Sequence, residues 1–430
     1  MNQIVIKYSD PTERMRYGAD LVFRVCLGLE VSWENCEEAE NTEVSYIITY
    51  KSQSISCPIH SISFSQDEQA LSSGVKWVES NGHKFPCEVL GLNDLQYDPL
   101  AVAIFSACRW EETMINERDE HGRYSGVNSS AHEHGMLSTP LVENMAHVLA
   151  EVLGVENIPS EKDYEYIPTI DIDIAYAFRG RSGLHNLAAS LRDLVLFRFQ
   201  NCIMRFKVLV IGHEDPYDSF KWLSDLHQSN SLPSRCFVLR ADKIRPYDMG
   251  LKPVEVDVLI ESLVVNWTVC WHPSYSATGN DSEVFSAEKN QFPCVSDEVR
   301  THFLRGNTEI WPQLVENGIT HDYSMGYADL PGFRAGMSRP YPAFDLAKNK
   351  PLPLIIHPVA VMDSSLKSYM KLTPEEAIQV VGEISDSVKK VGGTMVTLWH
   401  NTSVSDFGIW KGWQVVYVQV LKRCLPCGHE

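Results

Sequence analysis

TIDIDIAY, Thr169–Tyr176, decides the fold. It reads as a buried strand, yet it carries Asp171 and Asp173 with a single Ile between them. Residues i and i+2 of a strand face the same side, so the two carboxylates project together. Such a pair repels unless a cation or a proton lies between the groups. Burying it for stability alone is costly. Two readings follow: a metal ligand beside a general base, or one Asp capping the turn at RGRSG while the other pairs with Arg179 or Arg181.

Outward from this strand, apolar runs alternate with amphipathic segments, the pattern of strands and helices around a parallel sheet. PTIDIDIAY, SRCFVLR, WTVCWH, PLIIHPVAV and GTMVTLWH are the expected strands. DPYDSFKWLSDLHQS, with Asp215 as N-cap, and TPEEAIQVVGEISDSVKKV, with Thr373 as N-cap and Gly392 past its end, are the expected helices. A barrel and an open doubly wound sheet both fit this order. Before residue 165 the chain is α/β in character, with strand-like SYIITY and PIHSISF and a helical LVENMAHVLAEVLGV. The expected division is therefore 1–164 and 165–430. Between the strands and the helix lies RWEETMINERDEHGRYSGVNSSAHEHGM, read as a long surface excursion, its His132 and His134 either solvated or part of a loop over substrate.

The 430 residues carry 37 Lys and Arg against 56 Asp and Glu, a net charge of −19. Nucleic acid and an anionic membrane are repelled at long range, so neither is expected as a partner. Hydrophobic residues at 44% exclude a disordered chain. No basic leader and no apolar run of about 18 residues is present, so the cytoplasm is expected. Eleven Cys without repeated spacing suit reduced thiols. Cys424 and Cys427, with His429, form one CxxC pair that lacks a completing set, and an ordinary tail is expected there.

In sheets of this kind reactive groups gather at the carboxyl ends of the strands. Asp171, Asp173, His272, Arg334, Asp363 and His400 all stand at such places. His272 with Asp173 is a typical donor pair for Zn²⁺, and otherwise His272 is a satisfied core residue. His400 is a candidate proton donor or a buried structural His. Arg334, between Gly332 and Gly336, either reaches a carboxylate such as Asp171 or forms a structural ion pair. Trp271, Trp399, Trp410 and Trp413 suit sugar stacking or core packing equally.

From about Ile167 to Leu421 the chain resembles the polysaccharide deacetylases of the NodB-like type. TIDID is similar to their first motif, which implies Asp171 as base and Asp173 as metal ligand. HPSYS resembles the His-x-x-x-His motif, with His272 in first place. GFRAGMSRPY resembles the motif whose arginine orients the base, here Arg334. Asp363 stands where a later acidic motif is expected, and LWH resembles the motif whose His, here His400, is the acid. The resemblance implies a distorted (β/α) barrel behind a smaller α/β domain. It implies a divalent ion, Zn²⁺ before Co²⁺ or Ni²⁺, and removal of N- or O-acetyl groups from a carbohydrate. The first 164 residues resemble an uncharacterised domain found ahead of such deacetylase domains in bacteria. Ser276 stands in place of the second His, and the first motif is Asp-x-Asp where an adjacent pair is usual. The metal is then bound weakly, held by a borrowed ligand such as Asp363 or a residue of the N-terminal domain, or lost together with catalysis on a carbohydrate-binding scaffold; hydrolysis of another C–N bond is a further alternative.

Overall fold

Among the described residues a four-stranded and a nine-stranded sheet carry the fold, with a two-stranded hairpin beside them. The computed structural model describes residues 3–35, 45–64, 75–89, 93–241, 246–248, 250–279, 282–306 and 308–426. In the smaller sheet β1 (Gln3–Lys7), β2 (Glu30–Glu34), β3 (Ser45–Tyr50) and β4 (Gln53–Pro58) lie in the order β2-β1-β3-β4. β1 and β3 bury every second residue, as strands with one covered face do. A hairpin, β5 (Trp77–Ser80) with β6 (His83–Pro86), stands apart from it. PIHSISF is not a strand: only Pro58 belongs to β4, and Ser61–Phe64 is a helical turn. The helix Pro99–Ala107 is buried throughout, and Asp98 caps it by accepting the Leu100 and Ala101 N–H groups.

The large sheet has nine strands: β7 (Glu165–Ile172), β8 (Arg235–Leu239), β9 (Thr268–His272), β10 (Glu298–Val299), β11 (His321–Asp322), β12 (Tyr341–Asp345), β13 (Lys350–Ile356), β14 (Val361–Met362) and β15 (Thr394–His400). Their order is β12-β13-β11-β10-β9-β8-β7-β15-β14, and all pairings are parallel except β12 with β13. Among the described residues the end strands β12 and β14 are not paired with one another. The fold is thus mixed α/β with a large, mostly parallel sheet. β15 is buried until its last residue, which explains why only two threonines interrupt its apolar side chains before His400. Register brings the ends of the strands level: Asp171 lies beside His400 of β15 and Phe237 of β8, and Leu239 lies beside His272.

The helix Pro374–Lys390 begins and ends where expected. Thr373 and Glu376 form a capping box, and Gly392 at φ +58° ends the turn where a Cβ would meet Ser160 O at 2.4 Å. Asp215 does not cap a helix. The helix begins at Phe220, and the Asp215 carboxylate instead accepts the N–H groups of Ala177, Phe178 and Arg179. The nine described cysteines are all free thiols, and Cys427 and His429 lie outside the described residues. No described helix is long and apolar enough to cross a membrane.

The expected surface excursion is largely built into the protein. His132 is exposed, but Arg109, Glu111, Glu112, His121 and Arg123 are buried. Arg334 belongs to this network and not to Asp171: its Nε and Nη2 donate to Glu112 at 2.9 and 2.8 Å, and Nη1 donates to the Gly306 and Gly326 carbonyls. Arg109 Nε donates to the same carboxylate at 2.8 Å. Burial alone would raise the Glu112 carboxyl, but Arg334 and Arg109 outweigh it and bring it down to about 2.

Glu112→Gln is expected to lower unfolding stability by about 3 kcal/mol in urea titrations, because it leaves buried guanidinium charge short of a partner. The folded carboxyl lies below its ordinary 4.5. Its contribution is therefore complete above that pH and disappears as the pH falls toward about 2. The difference between wild type and variant should shrink over that window; a gap constant with pH would contradict the assignment.

Candidate metal centre

Four strand ends deliver the polar groups of one cavity. β7 supplies Asp171 and, just past its end, Asp173; β9 ends on His272; the loop after β10 supplies His302; β15 ends on His400. The cavity has a volume of about 300 Å³, and Arg123, Phe303 and Tyr369 form part of its wall. His302 precedes two bulky residues in left-handed backbone, Phe303 at φ 63° and Leu304 at φ 53°. Such conformations cost on the order of 1–3 kcal/mol each and persist where the surroundings impose them.

Asp173 is the centre of the group. Its Oδ1 lies 3.2 Å from His272 Nε2, and its Oδ2 lies 3.5 Å from both His302 Nε2 and His400 Nε2. Asp173, His272 and His302 present three donor atoms within 4.8 Å of one another, a ligand set for a divalent cation. Asp173 Oδ1 is buried without a hydrogen bond of its own, as a carboxylate oxygen awaiting a cation would be. The second nitrogen of each imidazole is engaged. His272 Nδ1 donates to the Arg300 carbonyl, and His302 Nδ1 lies 3.5 Å from Asp248 Oδ1. Outer partners of this kind fix ring orientation in metal sites.

Ser276 has another task. Its N–H and hydroxyl both donate to Asp248 Oδ2, at 3.2 and 2.9 Å, so it braces the residue behind His302. The third donor atom near Asp173 and His272 comes instead from His302, thirty residues further along the chain than His272. Asp363 is not a substitute ligand: its carboxylate takes the His400 backbone N–H at 2.8 Å and lies 2.8 Å from His400 Nδ1.

Asp171, 3% exposed, is held by Arg300: Nη1 donates to its Oδ1 at 2.7 Å, while Nη2 donates to Thr169 Oγ1 and Nε to the Tyr323 carbonyl. The expected partner, Arg334, is occupied by Glu112. Asp171 Oδ2 faces the cluster, 3.8 Å from His272 Nε2.

The electrostatics ask for positive charge. Burial would raise the Asp173 carboxyl, yet His302, His272 and His400 hold it well below the usual carboxylate range. Burial would lower His302 and His400, but Asp173 and Asp248 raise the first to about 9, and Asp363 with Asp173 raises the second to about 10. Protons on these rings stand where a cation would supply the same charge, and ion binding would displace them from its ligands. The four Trp side chains read from the sequence are all buried, Trp271 and Trp399 completely, and none lines the cavity. They pack the core: Trp271 against Phe285, and Trp399 against Trp413 and Tyr417.

Residues 4–157 match the model of a family of unknown function, DUF7033. None of the curated proteins matches the chain. Among solved structures, a protein assigned as a polysaccharide deacetylase from Mycobacterium smegmatis is 15% identical with a TM-score of 0.42, over 64% of this chain and 87% of its own. A second so assigned, involved in O-antigen biosynthesis in Bordetella bronchiseptica, is 13% identical with a TM-score of 0.31, over 62% of this chain and 98% of its own. A 4-alpha-glucanotransferase from Thermococcus litoralis is 11% identical with a TM-score of 0.31, over 60% of this chain and 36% of its own. At such values the chemistry has to be read from this chain's own side chains.

Calorimetric titration with ZnCl₂ should give one ion per chain. His302→Ala should weaken that binding by more than the ~10–100-fold expected for an outer partner, whereas Ser276→Ala stays within about tenfold of wild type. Equal losses in both variants would remove His302 from the ligand set.

Proposed function

We propose that the chain is a metal-dependent hydrolase that removes acetyl groups from a carbohydrate. The observation that carries this is the meeting of Asp173, His272 and His302 with two flanking groups suited to proton transfer, Asp171 and His400, in one cavity. The same reading takes the nine-stranded sheet as a distorted (β/α) barrel of NodB-like type spanning 165–430, behind a separate α/β domain, 1–164.

A divalent ion on Asp173, His272 and His302, with Zn²⁺ first in order, would supply Lewis-acid chemistry, acidifying a water and polarising an acyl oxygen. Asp171 accepts the proton of the attacking water, with Oδ1 fixed by Arg300 and Oδ2 turned to the cluster. His400, whose Nδ1 is fixed by Asp363, directs Nε2 into the cavity and delivers a proton to the departing nitrogen or oxygen. The alternative of a retired catalytic fold rested on the absent second His of HPSYS, and the position of His302 near Asp173 and His272 supports the hydrolase reading over it.

Acetate release from acetylated oligosaccharides by Zn²⁺-, Co²⁺- or Ni²⁺-loaded protein tests this reading. Asp171→Asn should lower kcat by about 10²–10⁴-fold while still taking up one ion. No acetate from any loaded form, or undiminished turnover in Asp171→Asn, would overturn it.

A further inference from the structure

The connection from β7 to β8 contains a helical hairpin, Gly183–Val195 and Phe199–Phe206, the second helix continuing as a wider turn, Lys207–Ile211. Its two ends are tied together. Asp215, just after the hairpin, accepts the N–H groups of Ala177, Phe178 and Arg179, just before it, at 2.7, 2.9 and 3.1 Å. The hairpin is thus an insertion rooted at the carboxyl end of β7, ten residues past Asp173.

Its polarity is inside out. The buried contacts are polar: Arg205 Nη2 donates to Asp193 at 2.8 Å and Nη1 to Ser190 Oγ at 3.0 Å, and Asn186 Nδ2 donates to the Phe178 carbonyl at 3.3 Å. The apolar side chains point outward, with Leu184 82% and Phe197 79% exposed, and Leu187, Leu191, Phe199 and Phe206 each more than half exposed. Thirteen of the twenty-four large apolar residues left exposed in the described chain lie within 183–211. Together they present on the order of 1,000 Å² of apolar surface, above the ~300–600 Å² of the largest patch on an ordinary monomer.

Charge identifies the cover. The chain carries −19 overall, but from 177 to 212 it has Arg179, Arg181, Arg192, Arg198, Arg205 and Lys207 against the single Asp193. Arg179 and Arg205 are paired with Asp218 and Asp193, while Arg192 and Arg198 are exposed among the apolar side chains. Exposed Leu and Phe beside Arg and Lys is the composition of an element that lies in the headgroup region of an anionic bilayer. A second copy of the chain fits less well, since a twofold contact on this face would bring two faces of the same net positive charge together. No described helix can span a bilayer, so the element would lie in the interface.

We propose that the 183–211 hairpin seats this protein on an anionic membrane surface, with the rim that carries Asp171 and Asp173 held beside the bilayer. The long-range repulsion expected from the total charge is overcome locally, because screening confines it to about 10 Å while the hairpin meets the surface first. The proposal is independent of the hydrolase reading and is tested without an activity assay. The full chain is mixed with phosphatidylcholine vesicles, with and without phosphatidylglycerol, and floated on a density gradient. It should float with the phosphatidylglycerol vesicles at about 0.1 M salt, and less as salt is raised further. Removing each basic residue should cost about fivefold in partitioning. Phe197→Ser with Phe199→Ser, and separately Arg192→Glu with Arg198→Glu, should each reduce binding at least about tenfold with unchanged circular dichroism. Failure of the wild type to float with anionic vesicles overturns the proposal, as does wild-type flotation of both variants. A dimer in sedimentation velocity that these substitutions split, in a protein indifferent to lipid, also overturns it and assigns the face to a second copy.

Discussion

A carboxylate largely withdrawn from water needs positive charge beside it, and Asp173, a quarter exposed, has three imidazoles to supply it. Oδ1 faces His272 and Oδ2 faces His302 and His400, all within 3.5 Å. Each imidazole is in turn fixed from behind, by the Arg300 carbonyl, by Asp248 and by Asp363. Removing water from a charge costs several kcal/mol even after relaxation, so this arrangement holds only if protons or a cation complete it. The geometry of the whole strand-end cluster follows from that one requirement, because three separate strands converge on a single side chain.

Asp171 shows the same constraint solved differently. It is buried, and a complete cation is brought to it by Arg300, which is fully buried and stacks at 4.2 Å over Phe237. The planar guanidinium can bond Asp171, Thr169 and Tyr323 at once, which a lysine could not. Arg300 therefore fixes one oxygen of Asp171 and leaves the other toward the cluster. Arg334 does equivalent work for Glu112, away from the chemistry, and its buried pair joins the first part of the chain to the large sheet.

How much of this was legible in the sequence depends on the length of each element. β7, β8, β9, β13 and β15 are strands of five or more residues built mainly from apolar side chains, with Asp171, His272 and His400 at or next to their last residues. β10 and β11 have two residues each, too short for periodicity to register, so Arg300 and His302, which sit just after β10, carry no strand signal. The Gly-flanked Arg334 looked the better partner for Asp171 because local sequence cannot reveal Glu112, 222 residues away. The hairpin at 183–211 has the apolar spacing of any packed helix. Only the tertiary arrangement shows that its polar side is the one turned in.

The segment from Arg109 to Met136 was the hardest to read, since charge, Gly and Ser at that density ordinarily mean a solvated loop. Here Arg109, Glu111 and Glu112 are paired inside the protein while Glu117, Glu120 and Glu133 stay exposed, and Arg123 reaches the cavity. Arg123 donates to the Phe303 carbonyl and to the Tyr369 hydroxyl, and Asp119 holds it at 2.7 Å. Phe303 follows His302 directly and sits in left-handed backbone, so the bond from Arg123 bears on the residue next to a cluster histidine. An unpaired loop could not sustain that conformation against its cost of on the order of 1–3 kcal/mol. The first part of the chain is therefore not an appendage to the strand-end cluster: through Arg123 it closes one wall of the cavity and braces the turn on which His302 stands.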